Sequence, residues 1–318
     1  MPSNRYEEDC PADSRLGSCL CTQEQLESPV FQRWAQRLGE SSERLQRKIW
    51  EWCYISQSLH ERQLLEPGRR GLGFAVGEEP LTALFASLGC EITATDLDTE
   101  AAADAGWVKT GQHASHLGML NTRHLCTPKE FEQRVSFRHV DMNDIPSDLA
   151  NSFDFLWSSC SLEHLGSLSL GEQFVYNSLA CLKPGGVAVH TTEYNVTSNT
   201  DTADHRSTVI YRRRDMERIS QQLSECGHSV EPFSFDTGRL PADAIVDMPP
   251  YKFDPHLKLL LRDKYVCTSV GIIVRKTGER ISVAPRSATA MTLRAYCRPM
   301  AKWASHRIKR LTRPKRVA

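Results

Sequence analysis

The residues able to do chemistry in this chain fall in a fixed order, each just beyond a short apolar run. Gly77 closes GLGFAVG at 71–77, Asp96 lies 19 residues later in ITATDLD at 92–98, and Asp141 and Met142 sit in VDMND at 140–144. A glycine turn followed by an acid about 20 residues on suits a nucleotide-type cofactor. The backbone approaches the ligand at the glycine, and the carboxylate accepts from ribose hydroxyls. Asp98 is the alternative acid, but it is better placed to cap a helix starting at Thr99. Farther along, Ser158, Ser159, Cys160 and the pair Glu163-His164 leave the run FDFLWSSCSLEHL at 153–165. A histidine or glutamate at such an exit can take a proton from a hydroxyl near neutral pH. Glu163 and His164 are therefore the candidate catalytic residues, with capping or packing under the cofactor as the alternative for His164. In His190-Thr-Thr-Glu-Tyr-Asn195, Glu193 and Asn195 are candidate substrate contacts. His190 is a third, or else lies inside the sheet. Residues 195–206 have the polar composition of a lid.

Holding these groups on one edge requires alternating strands and helices. Apolar runs predict strands at Arg70–Phe74, Glu91–Thr95, Val135–Val140, Phe153–Ser158, Val187–Thr192, near Val230–Phe235, and at Thr268–Arg275, with helices over Leu81–Leu88 and Arg213–Cys226. Such alternation predicts an α/β chain with a mainly parallel sheet. Ahead of it, Ser28-Pro29 is an N-cap followed by proline at the first helical position, and Gly39 can end that helix. Leu45, Ile49, Trp52, Ser56 and Leu59 recur at steps of three and four, widened by Trp50 and Tyr54. They predict a second helix from Ser42 to Leu65, packed as a cover over the sheet or the site entrance.

The segments in this order resemble the class I S-adenosylmethionine-dependent methyltransferases, and the later motifs resemble a bacterial subgroup of unassigned substrate. The resemblance covers roughly residues 60–280. It implies a Rossmann-like, doubly wound seven-stranded sheet ordered 3-2-1-4-5-7-6, the last strand antiparallel. It also implies S-adenosyl-L-methionine as cofactor, contacted by Phe74, Ala75, Gly77, Asp96, Leu97, Asp141, Met142 and Ser158. Asp141 would approach the adenine amine, Met142 would cover the ring, and Ser158 to Cys160 would pass beneath the methionine portion. The turn Lys183-Pro184-Gly185-Gly186 is a family hallmark without chemistry of its own. One departure stands out. The family's acid in the first turn falls on Gly73 and its glycines on Ala75, Gly77 and Glu79, so only Gly77 is retained. Alanine is the smallest substitute for glycine. The missing acid leaves the cofactor's ammonium to another group, with Glu78 and Glu79 nearest.

Composition sets outer bounds. At 318 residues, 40% hydrophobic and 25% charged, the chain reads as an ordinary globular protein. No apolar run approaches the roughly 20 residues of a membrane span. Met1 to Asp13 lacks the pattern of a signal peptide, so cytoplasmic residence is the expectation. Eleven cysteines include no C-x-x-C pair, and Cys19 with Cys21 lacks a second ligand pair, so no metal is expected. Residues 280–318 hold 11 Lys and Arg and no acid, which leaves the rest of a charge-balanced chain acidic. Tyr296, Met300, Trp303 and Leu311 fall near helical spacing in that tail. Peripheral contact with an anionic membrane, docking on the acidic body and a merely solvated tail are its three readings. Nucleic acid is not expected, since no recognition module accompanies the charge. The expected division is a poorly ordered 1–27, a helical cover 28–66, a cofactor-binding domain 67–279 and a basic tail 280–318.

Three function classes follow. The first is methyl transfer to a small-molecule or glycan acceptor at oxygen, and the second a non-catalytic S-adenosylmethionine-binding protein. The third, an NAD-dependent oxidoreductase using Gly71-x-Gly73 as its dinucleotide turn, lacks a buried strand before Gly71.

Overall fold

The computed structural model describes residues 15–41, 43–105, 113–204, 208–251 and 253–278. The chain begins with β1 (Ser18–Leu20), α1 (Gln23–Glu27), α2 (Pro29–Arg37) and α3 (Arg47–His60). Next come β2 (Arg70–Phe74), α4 (Leu81–Ser87), β3 (Glu91–Asp96), α5 (Thr99–Ala105), α6 (Pro128–Arg134), β4 (Val135–His139) and β5 (Phe153–Ser159). It continues through α7 (Leu168–Ser178), β6 (Leu182–Asn195), α8 (Arg213–Glu225), β7 (Ser229–Val230) and β8 (Phe233–Ser234). It closes with β9 (Val246–Asp247), β10 (Lys258–Leu261) and β11 (Tyr265–Arg275).

These strands form one sheet with the path β4-β3-β2-β5-β6-β11-β1-β8. From β4 to β6 every pairing is parallel, and β11 joins β6 antiparallel. The α/β class and the first six positions of the expected order are present. The far edge is not as expected. Residues Val230–Phe235 do not make one sixth strand, because Pro232 lacks an N–H for a ladder. They split into β7, paired with β11, and β8, paired with β1. The place beside β11 is taken by β1 from the amino terminus, antiparallel to it.

That strand corrects the expectation of disorder up to residue 27, at least over the described residues 15–27. Ser18, Leu20 and Cys21 are buried, and the Ser18 hydroxyl accepts the Ile273 N–H at 3.1 Å. Thr22 then caps α1 in a capping box with Gln25. A polar average over 27 residues hides a short apolar run that needs only one free sheet edge. The basic tail, with Tyr296, Met300, Trp303 and Leu311, lies outside the described residues. Among the described residues no helix is long and apolar enough to cross a membrane.

The helical cover starts as its sequence dictates: the Ser28 hydroxyl accepts the Phe31 N–H, with Pro29 at the first position. By contrast α3 is shorter than the expected Ser42 to Leu65. Its first turn is set from outside, since Arg47 N–H donates to the His256 carbonyl and His256 N–H to the Leu45 carbonyl. Trp50, Tyr54, Ile55 and Leu59 are fully buried, each contributing about 1.5–3 kcal/mol relative to exposure. The helix packs on β5, β6 and β11, so the cover and the sheet share a core. Lys183 to Gly186 form a bulge inside β6 rather than a turn before it. Gly185 has φ +82°, and the register slips between Phe153 and Phe155.

Candidate active site

Parallel strands place the exits of β2, β3, β5 and β6 on one edge, and the first turn after β2 is tight. Ala75 has φ +46° and Gly77 φ +51°, a left-handed backbone that glycine adopts freely and alanine only under strain. Gly73 accounts for the missing acid. A Cβ there would lie 2.5 Å from both the Trp157 ring and Val76 Cγ1, so the indole of β5 fills the space a side chain would need.

Asp96 ends β3 where the spacing placed it, and its carboxylate ties the edge together. Oδ2 accepts the N–H groups of Gly77 at 3.0 Å and Ala114 at 3.1 Å, while Oδ1 accepts that of Leu97 at 2.8 Å. Burial pushes its pKa up, and these donors with the nearby His113 pull against that. A carboxylate has about four acceptor sites, so one remains for a ribose hydroxyl. Asp98 instead caps α5, its Oδ1 accepting the Glu100 N–H at 2.9 Å. Asp141 is exposed and turns the chain, accepting the Asn143 N–H at 2.8 Å. Met142 is buried among the apolar residues of one sheet face. Phe74 is fully buried edge-on to Phe174 at 5.1 Å, so only its backbone faces the edge.

The exits of β5 and β6 are different in kind. Glu163 is buried, with Oε2 accepting the Thr192 hydroxyl at 2.9 Å. Burial, reinforced by the charge of Glu51, pushes its pKa up to about 7. His164 is half-buried; Nδ1 lies 3.3 Å from the Thr208 hydroxyl and Nε2 4.0 Å from Glu163 Oε1. Glu193 Oε1 meets Arg47 at 2.5 Å, while Oε2 is buried without a hydrogen-bond partner. Ligating atoms of Cys160, Glu163 and Glu193 all lie within 4.8 Å of one another. Cys160 donates to Glu51 Oε1 at 3.0 Å, and burial with the charges of Glu163 and Glu51 keeps it a thiol.

Two expected substrate contacts are corrected. His190 is fully buried within β6, bonded to the Ser158 hydroxyl at 2.8 Å and packed edge-on to Phe174. Burial pushes its pKa down to about 3, so it is a neutral core residue, and Ser158 is enclosed with it. Asn195 spends its amide on its own loop. It donates to the Asp201 carbonyl at 3.0 Å and accepts the N–H groups of Thr197 and Ser198. Arg212 offers no anion site, being buried against Asp215 at 2.7 Å.

The sequence reading missed the charged residues that α3 brings to this edge and the Ser269 hydroxyl that β11 adds. Lys48 Nζ lies 3.1 Å from Glu51, 2.9 Å from Glu79 and 3.1 Å from the Ser159 hydroxyl. Glu51 is fully buried and also accepts from the Ser159 and Ser269 hydroxyls. Burial opposes its charge, yet Lys48 and Arg47 pull its pKa down to about 2. A signal for this was available. Glu51 is the one charged residue in the run from Ile49 to Ile55, between Trp50 and Trp52, and a carboxylate buried there needs cations beside it.

Beside the first turn of α3, a cavity of about 310 Å³ is lined by residues including Met248, Phe253 and Asp247. Asp247 holds His256 at 2.6 Å, next to the start of that helix. The exposed large apolar side chains among the described residues are Leu240, Ile245, Met248 and Phe253, all in this stretch.

Comparison with known proteins accords with this edge. Residues 72–190 match the family model described as a methyltransferase domain. No curated protein sequence matches the chain. Similar solved structures include the [4+2]-cyclase SpnF, at 18% identity and TM-score 0.38 over 56% of this chain and 61% of that one. Another is phosphoethanolamine N-methyltransferase 2 of Haemonchus contortus, at 20% and 0.36 over 52% of this chain and 35% of that one. A third is the CurJ carbon methyltransferase, at 14% and 0.41 over 73% of this chain and 54% of that one. The chain thus spans less than two thirds of the length of each of these three structures. The glycine turn, the acid of β3 and the parallel strand exits lie in one register within or beside residues 72–190, the segment that matches a methyltransferase domain.

Proposed function

We propose that the chain transfers a methyl group from S-adenosylmethionine to a hydroxyl of a small-molecule or glycan acceptor, with Glu163 receiving the hydroxyl proton. The observation that carries this is the buried Glu163 carboxyl converging with Glu193 and Cys160 at the exits of β5 and β6, where burial pushes its pKa up to about 7. A hydroxyl nucleophile must lose its proton, and a base is most effective when its pKa lies near the working pH. The cofactor, when bound, supplies a methyl group already activated on a sulfonium.

The donor set fits that cofactor. Asp96 keeps an acceptor site for ribose, the backbone of Ala75 to Gly77 and of Leu97 borders it, and the Asp141-Met142 turn follows β4 on the adenine side. At the other end Glu163, Glu193 and Cys160 converge, and Arg47 balances Glu193. Arg47 fixes Glu193 so that its second oxygen can accept from an acceptor hydroxyl. His164, partly exposed, lies 4.0 Å from Glu163 Oε1, too far for direct proton transfer, so its part is to border the proposed base.

The reading is tested with labelled S-adenosylmethionine and a panel of sugars, nucleotide sugars and small alcohols. Transfer to at least one acceptor is expected, and Glu163→Gln should lower kcat by about 10²–10⁴ while S-adenosylhomocysteine affinity is kept. The non-catalytic alternative draws on the altered first turn, where Ala75 and Glu79 stand for glycines. It requires S-adenosylhomocysteine binding with no transfer to any acceptor.

A further inference from the structure

The cofactor's amino-acid end carries an ammonium and a carboxylate, and the usual position for an acid that meets the ammonium is closed by Trp157 over Gly73. A charged pair of matching sign and order lies beside it instead. Glu79 ends the first turn after β2, and Lys48 reaches it at 2.9 Å from α3, outside the family-model segment. Lys48 also touches the Ser159 hydroxyl at the exit of β5, on the other side of the same crevice. Its side chain is 40% exposed, whereas Glu79 is 13% and Glu51 1% exposed. The Lys48 side chain is therefore partly exposed at the ligand edge, and its ammonium is held by the Glu51 and Glu79 carboxylates.

We infer that Lys48 and Glu79 form the receptor for the zwitterionic end of the cofactor, Lys48 for the carboxylate and Glu79 for the ammonium. Glu51 acts as a positioning residue that keeps Lys48 in place. This rests on the methyltransferase reading of the same edge. Two features support it besides position. Lys48 has three N–H donors shared among Glu51, Glu79, the Ser159 hydroxyl and the Ser159 carbonyl at 3.4 Å. Its bond to Glu79 can thus be exchanged for one to a ligand carboxylate without leaving the ammonium unpaired. Charge agrees as well. Lys48 offers a cation to the ligand carboxylate and Glu79 an anion to the ligand ammonium, so each end of the zwitterion meets its opposite. Burial opposes the charge on Lys48, yet Glu51 and Glu79 outweigh it and hold the group well above the ordinary lysine range. It stays cationic at any working pH.

The test is calorimetric titration of the full chain with S-adenosylhomocysteine and with 5′-methylthioadenosine, which shares the adenosine and lacks the amino-acid end. Lys48→Met and Glu79→Gln should each weaken S-adenosylhomocysteine by roughly tenfold or more, the loss of one charge-assisted hydrogen bond. Affinity for 5′-methylthioadenosine should stay within about twofold. Because Lys48→Met leaves Glu51 without one of its cations, Lys48→Arg with Glu79→Gln serves as a second pair should the first variant fail to fold. Unchanged S-adenosylhomocysteine affinity in folded variants overturns the inference, as does an equal loss for both ligands. If the unaltered chain binds neither ligand, the cofactor reading itself fails.

Discussion

On the β2–β3 side of the edge a single carboxylate, Asp96, is held by three backbone N–H groups. Toward the β5–β6 side three carboxylates (Glu51, Glu163 and Glu193), joined by Glu79 from the turn after β2, are held chiefly by two cations and a few hydroxyls, with α3 supplying both cations. The first side uses only parts that lie near one another along the domain's own strands and turns. The second is assembled from segments more than a hundred residues apart, such as Glu51 with Ser159 and Arg47 with Glu193. Backbone donors fix a geometry but change little with pH. A buried ionic group can be tuned, and its members take opposite directions: Glu51 is pulled down to about 2 and Glu163 pushed up to about 7. Divergent environments for neighbouring carboxyls are how acid and base roles become separated. Under the proposed function one side would grip the cofactor and the other would set protonation.

The sharpest way to break this contrast is to neutralise the tuned carboxyl. Glu163→Gln should produce the largest change, the fall of about 10²–10⁴ in kcat noted above, read by labelled methyl transfer. The same substitution at Asp96 should not imitate it. Asp96→Asn should raise the dissociation constant of S-adenosylhomocysteine and leave the turnover of bound cofactor nearly intact.

Next in size is the fold itself. Glu51→Ala should destabilise the chain by about 1–3 kcal/mol, because it removes a buried carboxylate from Lys48 and Arg47, which keep Glu79 and Glu193 as partners. Thermal unfolding with and without S-adenosylhomocysteine measures this. A shift within error would mean that water, not Glu51, compensates the two cations. Asp96→Ala should weaken S-adenosylhomocysteine by about 1.5–3 kcal/mol, since under the proposed function its carboxylate accepts from the ribose while it restrains Gly77 and Ala114. If affinity is unchanged, the ribose is held elsewhere and Asp98 is the next acid to test.

How much of each side was legible in the sequence follows from the same contrast. Asp96 and Gly77 were legible because their relation is a spacing along consecutive elements. The strands were legible because burial on both faces leaves continuous apolar runs. His190 misled because polar type at a strand exit was taken for exposure, whereas its ring pairs with Ser158 inside the sheet. Asn195 misled because a polar side chain can be consumed by its own loop. Arg47, Lys48 and Glu51 were missed because periodicity reports which helix face is apolar, and says nothing of what its first turn will touch. β1 was missed because three residues are too few to carry a pattern, and only the vacancy beside β11 gives them a reason to be a strand.

A pH profile sharpens the contrast by separating rate from stability. The folded-state pKa of Glu163 lies above its ordinary value of 4.5, so the folded chain binds this proton more tightly than the unfolded one. Its contribution to stability is present below about 4.5 and is lost as pH rises through about 7. Glu51 has the opposite sign: its contribution is present above 4.5 and is lost as pH falls toward about 2. Catalysis by Glu163 needs the ionised form, so the rate should rise through neutral pH while the stability due to this group declines. Parallel denaturant melts and initial rates between pH 5.5 and 8.5 would show the crossing, roughly a unit either side of neutrality. In Glu163→Gln both trends should flatten. If the melts flatten and the rates do not, the base lies elsewhere, and His164 is the first residue to replace.

The smallest expected effect concerns the chain beyond Gly278. The described residues after β11 are tied to the body: Lys276 Nζ donates to the Leu182 carbonyl, the Thr277 hydroxyl to the Gly227 carbonyl, and Gly278 N–H to His228. Truncation after Gly278 spares all of these contacts and every group on either side of the cofactor edge. S-adenosylhomocysteine affinity should therefore be unchanged within about twofold. The 11 Lys and Arg that the cut removes, interleaved with Trp303 and Met300, would act instead at an anionic surface, where many weak attractions add while each alone is screened. Co-sedimentation with phosphatidylglycerol vesicles at low salt should be lost on truncation, with none seen on phosphatidylcholine for either form. If the truncated chain no longer binds S-adenosylhomocysteine, the tail takes part in the ionic side of the edge, and the division between a gripping and a tuned half must be redrawn to include it.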